Sequence, residues 1–94
     1  MEFEWDPEKA RVNLAKHGLS FELATRVWDD PLHQVLPDRI VEGEERWHAL
    51  GLVGAVMILV VVHTYPAGNH ERIRIVSARK ATPHERRRYE HEAL

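Results

Sequence analysis

The residues best suited to chemistry in this 94-residue chain are the four cations between positions 72 and 80. They are Arg72, Arg74, Arg79 and Lys80. Alternation along a strand would place Arg72 and Arg74 on one face and the isoleucines between them on the other, where they can anchor a core. Each guanidinium offers a planar fork of donors that matches phosphate oxygens. The sequence therefore predicts a phosphate-binding surface on a rigid strand that turns through residues 77–81 into a helix.

Charge is distributed unevenly along the chain. Residues 1–45 hold 5 basic and 11 acidic side chains, whereas residues 46–94 hold 8 basic and 4 acidic ones. This asymmetry favours a basic surface directed at an anionic partner, with an acidic surface elsewhere. Attraction between the two halves is the alternative explanation.

Composition argues against metal and thiol chemistry. The chain has no cysteine, so it can form neither a disulfide nor a thiolate nucleophile. Its seven histidines include no His-x-x-x-His pair and no accompanying acidic trio. We therefore expect no metal site and no cofactor.

The first third of the sequence predicts one short strand and two helices. Residues 2–5 alternate acidic and aromatic side chains, as a strand does. Asp6 and Pro7 provide an N-cap and a first-turn proline, and Gly18 provides a stop after His17. Ser20 caps a second helix, which ends near residues 29–31. The stripe expected on the first helix consists of Ala10, Leu14 and His17.

The remaining sequence predicts four strands and a last helix. The strands lie near residues 33–36, 45–52, 55–65 and 70–77, and the third is apolar on both faces, as a covered central strand would be. Thr82 and Glu85 have the spacing of a capping box, so the helix should run from Thr82 to the C-terminus. The expected fold is α+β, in the order β-α-α-β-β-β-β-α, with an antiparallel sheet, a helical hairpin and a C-terminal helix. We expect a single domain spanning residues 1–94.

A series of short motifs, in this order and spacing, resembles the BrnT toxins. The motifs are Phe3-Glu4-Trp5-Asp6-Pro7, Asn13 with Lys16-His17-Gly18, Phe21 with Ala24, Glu44-Glu45-Arg46-Trp47, Gly51, residues 72–81, Glu85-Arg86-Arg87 and Tyr89. The resemblance covers essentially the whole chain. It implies a RelE-like fold and a ribonuclease toxin of a type II toxin-antitoxin system that inhibits translation. It also implies a BrnA-type antitoxin whose ribbon-helix-helix domain binds operator DNA.

RNA cleavage without a metal requires a base for the 2′-hydroxyl proton, cations for the charged phosphorane and an acid for the leaving oxygen. Arg74, Arg79 and Arg46 are the candidates for stabilising the phosphorane, although each could instead form a surface ion pair. Stacking on a nucleobase is a possible role for Trp47, and packing in the core is the alternative. The RNA-binding candidates are Trp47, Arg72, Arg86 and Arg87.

Three residues are candidates for the base or the acid. His63 would come opposite Arg72 or its neighbour if residues 66–69 connect paired strands, or it could be a strand-end histidine bonded to backbone. Crowding by Arg79 would make Lys80 lose its proton more readily. Tyr89 could reach back over the basic surface or simply pack the last helix on the sheet.

An open cationic face and an exposed strand edge would offer a docking surface for an antitoxin, which would block RNA by covering the arginines. The acidic start of the chain does not resemble a signal peptide, so we expect a cytoplasmic location. A second class of function remains open, namely a non-catalytic RNA- or protein-binding module that uses the same basic face. A DNA-binding regulator acting alone is less favoured, because no helix-turn-helix is evident.

Overall fold

The computed structural model describes residues 1–93 as a five-stranded sheet packed against helices. The elements are β1 (Glu2–Glu4), α1 (Pro7–His17), α2 (Phe21–Ala24), a 3₁₀ helix (Thr25–Asp29), β2 (Gln34–Val41), β3 (Glu44–Val53), β4 (Met57–Thr64), β5 (Arg72–Lys80) and α3 (Pro83–Ala93). This confirms the α+β class and the predicted order of elements. Position 94, where the last helix was also expected, lies outside the described residues.

The strands lie in the order β1-β5-β4-β3-β2. Neighbours among β2 to β5 are antiparallel, but β1 pairs in parallel with β5, so the expectation of a wholly antiparallel sheet is wrong at this edge. No hairpin connects β1 to β5, so no short turn forces β1 to run antiparallel to β5.

Strand β4 is the covered central strand that its sequence predicts. Residues 58–61 are buried. On one face of the sheet, Leu59 and Val61 pack with residues of α2 and the 3₁₀ helix, such as Phe21 and Val27. On the other face, Ile58 and Val60 pack with Tyr89 of α3. The sheet is thus covered on both faces at this strand.

The extents of the second helix and of β2, and the buried face of α1, differ from the sequence-based predictions. The second helix becomes a 3₁₀ helix after Ala24, where the Thr25 hydroxyl donates to the Glu22 carbonyl. Strand β2 continues to Val41, because a bulge near Pro37 keeps it paired with β3. Helix α1 buries Asn13 rather than Leu14, which is 52% exposed.

A bulge near the middle of β5 changes which side chains share a face. Ile75 pairs with His63, but Ser77 pairs with Val62, so one extra residue lies on β5. Ile75 and Ala78 therefore both enter the core beneath α1 and α2, although they are three positions apart. Strand β5 also runs to Lys80, so the turn expected at residues 77–81 is confined to the end of that range.

The side chain of Asn13 connects α1 to β5. Its amide nitrogen donates to the carbonyls of Leu19 and Ala78, each at 3.0 Å, and its oxygen accepts from the Ala78 N–H at 3.0 Å. Strand β1 pairs only with residues 72–74, so Asn13 takes the place of a neighbouring strand further along β5. The buried amide thereby fixes where α1 lies on the sheet.

Replacing Asn13 with alanine should destabilise the protein by about 2 to 4 kcal/mol, because buried backbone groups lose their partners. Urea unfolding followed by circular dichroism measures this change. Lys9→Ala, at an exposed position of the same helix, is the matched control and should change stability little. Equal stabilities of the two variants would contradict the role assigned to Asn13.

Candidate active site

Part of the sheet face that carries α3 remains uncovered, and we call this part the open face. Helix α3 packs over Leu50, Ile58 and Val60, at one end of the sheet. The strand pairings place the side chains of the open face on β3, β4 and β5. These residues are Arg46, His48, Val62, Thr64, Arg72, Arg74, Ser77 and Arg79. The open face therefore holds four arginines and a histidine.

The bulge in β5 brings Arg74 and Arg79 to the same face. Arg74 pairs with Thr64 and Arg79 with Val60, and these two β4 residues are four positions apart. In a regular strand, residues 74 and 79 would point to opposite faces. The predicted separation of Arg72 and Arg74 from the isoleucines between them is also confirmed, since Ile73 and Ile75 are buried.

Glu4 of β1 binds two of these arginines. One carboxylate oxygen accepts from Arg72 Nε, and the other accepts from Arg74 Nε at 2.9 Å. These hydrogen bonds lower the pKa of Glu4. The carboxylate holds the two guanidinium groups side by side, but all three side chains remain partly exposed, so the ion pairs are open to exchange with another anion.

Arg79 is held by the first turn of α3. Its two terminal nitrogens donate to the Glu85 carboxylate at 2.7 and 3.0 Å, a bidentate pair. Glu85 also closes the predicted capping box, with Thr82 N–H donating to it at 2.9 Å. The Arg79 guanidinium lowers the pKa of Glu85 to about 2. Glu85, and to a smaller extent Asp38, raise the pKa of Arg79.

Two polar atoms of the open face are buried without a hydrogen-bond partner among residues 1–93. They are the Thr64 hydroxyl and Nε of Arg46. Within the same described part of the chain, Arg46 forms no ion pair, in contrast to Arg72, Arg74 and Arg79. Arg46 is therefore the arginine of this face whose charge no carboxylate within 4 Å offsets.

His48 and Asp38 form a pair that the sequence analysis did not single out. Nε2 of His48 lies 3.3 Å from an Asp38 carboxylate oxygen, and the side chains are 24% and 25% exposed. Alternation with Arg46 along β3 is a signal that could have indicated His48. Asp38 gives no such signal, because it lies in the bulge of β2, where pairing cannot be read from the sequence.

His63 does not lie beside the arginines, so the predicted position near Arg72 is wrong. The alternative of a histidine bonded to backbone is confirmed, since Nδ1 of His63 lies 3.2 Å from the Val61 carbonyl oxygen. It pairs with Trp47 and Ile75 and faces the helices, with its ring 5.0 Å from that of Trp28. Its side chain is fully buried, and desolvation lowers its pKa to about 4. In the pairing of β4 with β5, His63 lies opposite Ile75, one residue away from the pair of Thr64 with Arg74 on the open face.

Lys80 and Tyr89 also lie away from the arginines of the open face. Lys80 pairs with Leu59 and belongs to the opposite face from Arg79, so the expected crowding is wrong. Tyr89 is 5% exposed and packs on the sheet, and its hydroxyl donates to Asp30 rather than reaching the basic surface. Burial and this carboxylate raise the pKa of Tyr89 to about 12.

The three other candidates for binding RNA lie outside the open face. Trp47 is half-buried on the side of the sheet opposite Arg46, where it forms an aromatic cluster with Tyr65 and His70. Arg86 and Arg87 are exposed on α3. Their roles in binding RNA stay predictions.

Residues 1–93 show neither a metal-binding cluster nor a membrane-spanning helix. No group of three or more potential metal-binding side chains occurs in this part of the chain. Over the same residues, none of the helices combines the length and the apolar character that crossing a membrane requires.

Comparison with known proteins defines the class. The family model described as "Ribonuclease toxin, BrnT, of type II toxin-antitoxin system" matches residues 5–85, so the chain belongs to the BrnT family of ribonuclease toxins. A family of this type acts on RNA and is paired with an antitoxin. No match is found among curated proteins.

A solved structure supports the same assignment. The crystal structure of the Brucella abortus ribonuclease toxin BrnT matches this chain with a TM-score of 0.68 and 28% sequence identity. The match covers 87% of this chain and 97% of that one. The RelE-like relationship implied by the sequence stays a prediction.

The buried position of His63 predicts a specific pH dependence of stability. Its pKa is lowered from 6.5 to about 4 in the folded protein, so between these pH values the unfolded chain binds more protons. The free energy of unfolding should fall by about 2 to 3 kcal/mol through this group as the pH is lowered across that range.

His63→Gln should remove this part of the pH dependence, whereas His17→Gln, at an exposed position, should retain it. Urea unfolding of each protein at several pH values between 6.5 and 4 provides the comparison. Parallel pH profiles for wild type and His63→Gln would show that His63 is not the group responsible.

Proposed function

We propose that this protein is a metal-independent endoribonuclease that cleaves cellular RNA by attack of a 2′-hydroxyl on the adjacent phosphate. Membership of a ribonuclease toxin family supports the reaction class. The observation that carries the mechanism is the convergence of Arg46, Arg74 and Arg79 on one open face. Guanidinium groups fixed in advance can stabilise the charge that develops on a phosphorane.

The carboxylate partners of Arg74 and Arg79 fit this role. Glu4 and Glu85 hold the guanidinium groups in position before RNA binds, which reduces the entropy lost on binding. A phosphate can then replace a carboxylate at a partly exposed pair at little energetic cost. Arg72, Arg86 and Arg87 would extend the contact along the RNA, whereas Trp47 lies on the other side of the sheet and would contact only RNA that passes around its edge.

The reaction should proceed in EDTA and yield fragments with 2′,3′-cyclic phosphate ends. End-labelled RNA incubated with the purified, antitoxin-free protein tests this. Removing one donor that stabilises an oxyanion typically costs about 100- to 1,000-fold in rate, and we expect a loss of this size for Arg74→Ala. Arg74→Lys should lose cleavage but only weaken binding, because lysine keeps the charge without the planar fork.

Arg11→Ala is the matched control, because Arg11 is an exposed arginine of α1 that pairs with Glu8. It should cleave at the wild-type rate. If folded wild-type protein binds RNA in a salt-dependent way and leaves it intact, the chain is a non-catalytic binding module. If cleavage requires added divalent cations, the proposal of a metal-independent reaction fails.

We further propose that the cellular role is inhibition of translation, relieved by a BrnA-type antitoxin with a ribbon-helix-helix domain. An antitoxin that covers the open face would exclude RNA, and operator DNA would be bound only through the antitoxin. The protein would act in the cytoplasm as a single domain of residues 1–94.

Expression of the chain alone in bacterial cells should stop incorporation of labelled amino acids into protein. The Arg74→Ala variant should not have this effect, and co-expression of the antitoxin should restore incorporation. Continued protein synthesis in cells that accumulate folded wild-type chain would refute a role in translational arrest.

A further inference from the structure

The proposed reaction needs a group that accepts the proton of the 2′-hydroxyl, and the structure removes the first candidates from the open face. His63 is buried beneath the helices, and Lys80 belongs to the opposite face. Tyr89 is buried with its hydroxyl on Asp30. A base for this reaction must therefore be another residue that shares the face with the arginines.

We propose that His48 is this base and that Asp38 positions it. This inference rests on the ribonuclease function proposed above and assigns a further residue to the same site. His48 is the histidine that the strand pairings place on the open face, and its ring is only partly covered. Histidine can accept and release a proton near neutral pH, which suits this role.

The pair with Asp38 fixes which nitrogen is available. Nε2 of His48 lies 3.3 Å from the Asp38 carboxylate, and a neutral ring with its proton on Nε2 would leave Nδ1 as the acceptor. A carboxylate in this position also stabilises the imidazolium that forms when the ring takes a proton. Asp38 thus orients the ring and favours its charged product.

The location of His48 relative to the arginines fits a single phosphate site. His48 pairs with Val62, and Val62 pairs with Ser77, which lies between Arg74 and Arg79 on β5. Strands β3 and β5 are two strand spacings apart, roughly 10 Å, a gap that an arginine side chain and a phosphodiester can span.

The charged groups around this position come from four elements. They are Asp38 on β2, Arg46 on β3, Arg74 and Arg79 on β5, and Glu85 on α3. Asp38 is close enough to Arg79 to raise its pKa, which links the dyad to the cation on the far side of the face. A phosphate bound to these arginines would lie next to the imidazole.

The cleavage moves one proton to the histidine and exchanges one phosphorus–oxygen bond for another. Nδ1 of His48 takes the 2′-hydroxyl proton while the 2′-oxygen forms a bond to phosphorus. The bond from phosphorus to the 5′-oxygen breaks, and that oxygen takes a proton from solvent water. The products are a 2′,3′-cyclic phosphate and a 5′-hydroxyl, and the imidazolium then returns its proton to solvent.

His48→Gln and Asp38→Asn test the inference in the cleavage assay, with His17→Gln as the matched control. His48→Gln should lose cleavage by about 100-fold or more, the usual contribution of a general base. Its affinity for fully 2′-O-methylated RNA, which cannot react, should stay within about twofold of wild type. Added imidazole should restore cleavage by His48→Ala.

Asp38→Asn should lower kcat and leave KM unchanged, because the amide no longer stabilises the imidazolium. Asp38 lies on the edge strand β2, so Asp38→Asn still tests the inference if the histidine variants do not fold. Wild-type protein that leaves RNA intact overturns the ribonuclease function itself. Active wild type with His48→Gln or Asp38→Asn within about threefold of its rate overturns only the assignment of the dyad.

Discussion

Strand β5 needs hydrogen-bonding partners on both of its edges, and the rest of the molecule is arranged around this requirement. Strand β4 pairs along one edge, while β1 covers only residues 72–74 of the other. Asn13 supplies the missing partners to Ala78, and in doing so it fixes α1 against the sheet. Burying an amide that has a full set of hydrogen-bond partners costs little. Without Asn13, the buried N–H and carbonyl of Ala78 would each carry a desolvation penalty. The placement of the helical layer, and of the core beneath it, follows from this one side chain.

Carboxylates control the geometry of the cations on the other face. Glu4 binds Arg72 and Arg74, and Glu85 binds Arg79 while it also caps α3. Because Glu85 serves both the guanidinium and the helix terminus, an anion that competes for Arg79 also acts on the start of α3. If such an anion changes the affinity of a partner for this helix terminus by some factor, the partner changes the affinity for the anion by the same factor.

Much of the fold can be predicted from the sequence, because its signals are local. The Asp6 cap, the αL glycine at position 18 and the capping box at Thr82 all occur where the residue types indicate them. The candidate site is less predictable, since strand faces depend on register. Simple alternation places Arg72 and Arg74 correctly, but a hairpin count misplaces His63, because residues 65–71 connect β4 to β5 instead of the expected residues 66–69. The pairing of Asp38 with His48 depends on a second bulge, in β2, and no local pattern reports it.

The extra residue in β5 also makes the length of this strand matter as much as its composition. Ile75 and Ala78 both belong to the core although an odd number of steps separates them. A strand of the same length without the bulge would alternate strictly and exchange the two sides of everything that follows Ile75. Ala78 would then point away from the core, and Lys80 would replace Arg79 on the open face. Relatives that keep this site should therefore either keep the bulge or lose it together with one residue of this segment.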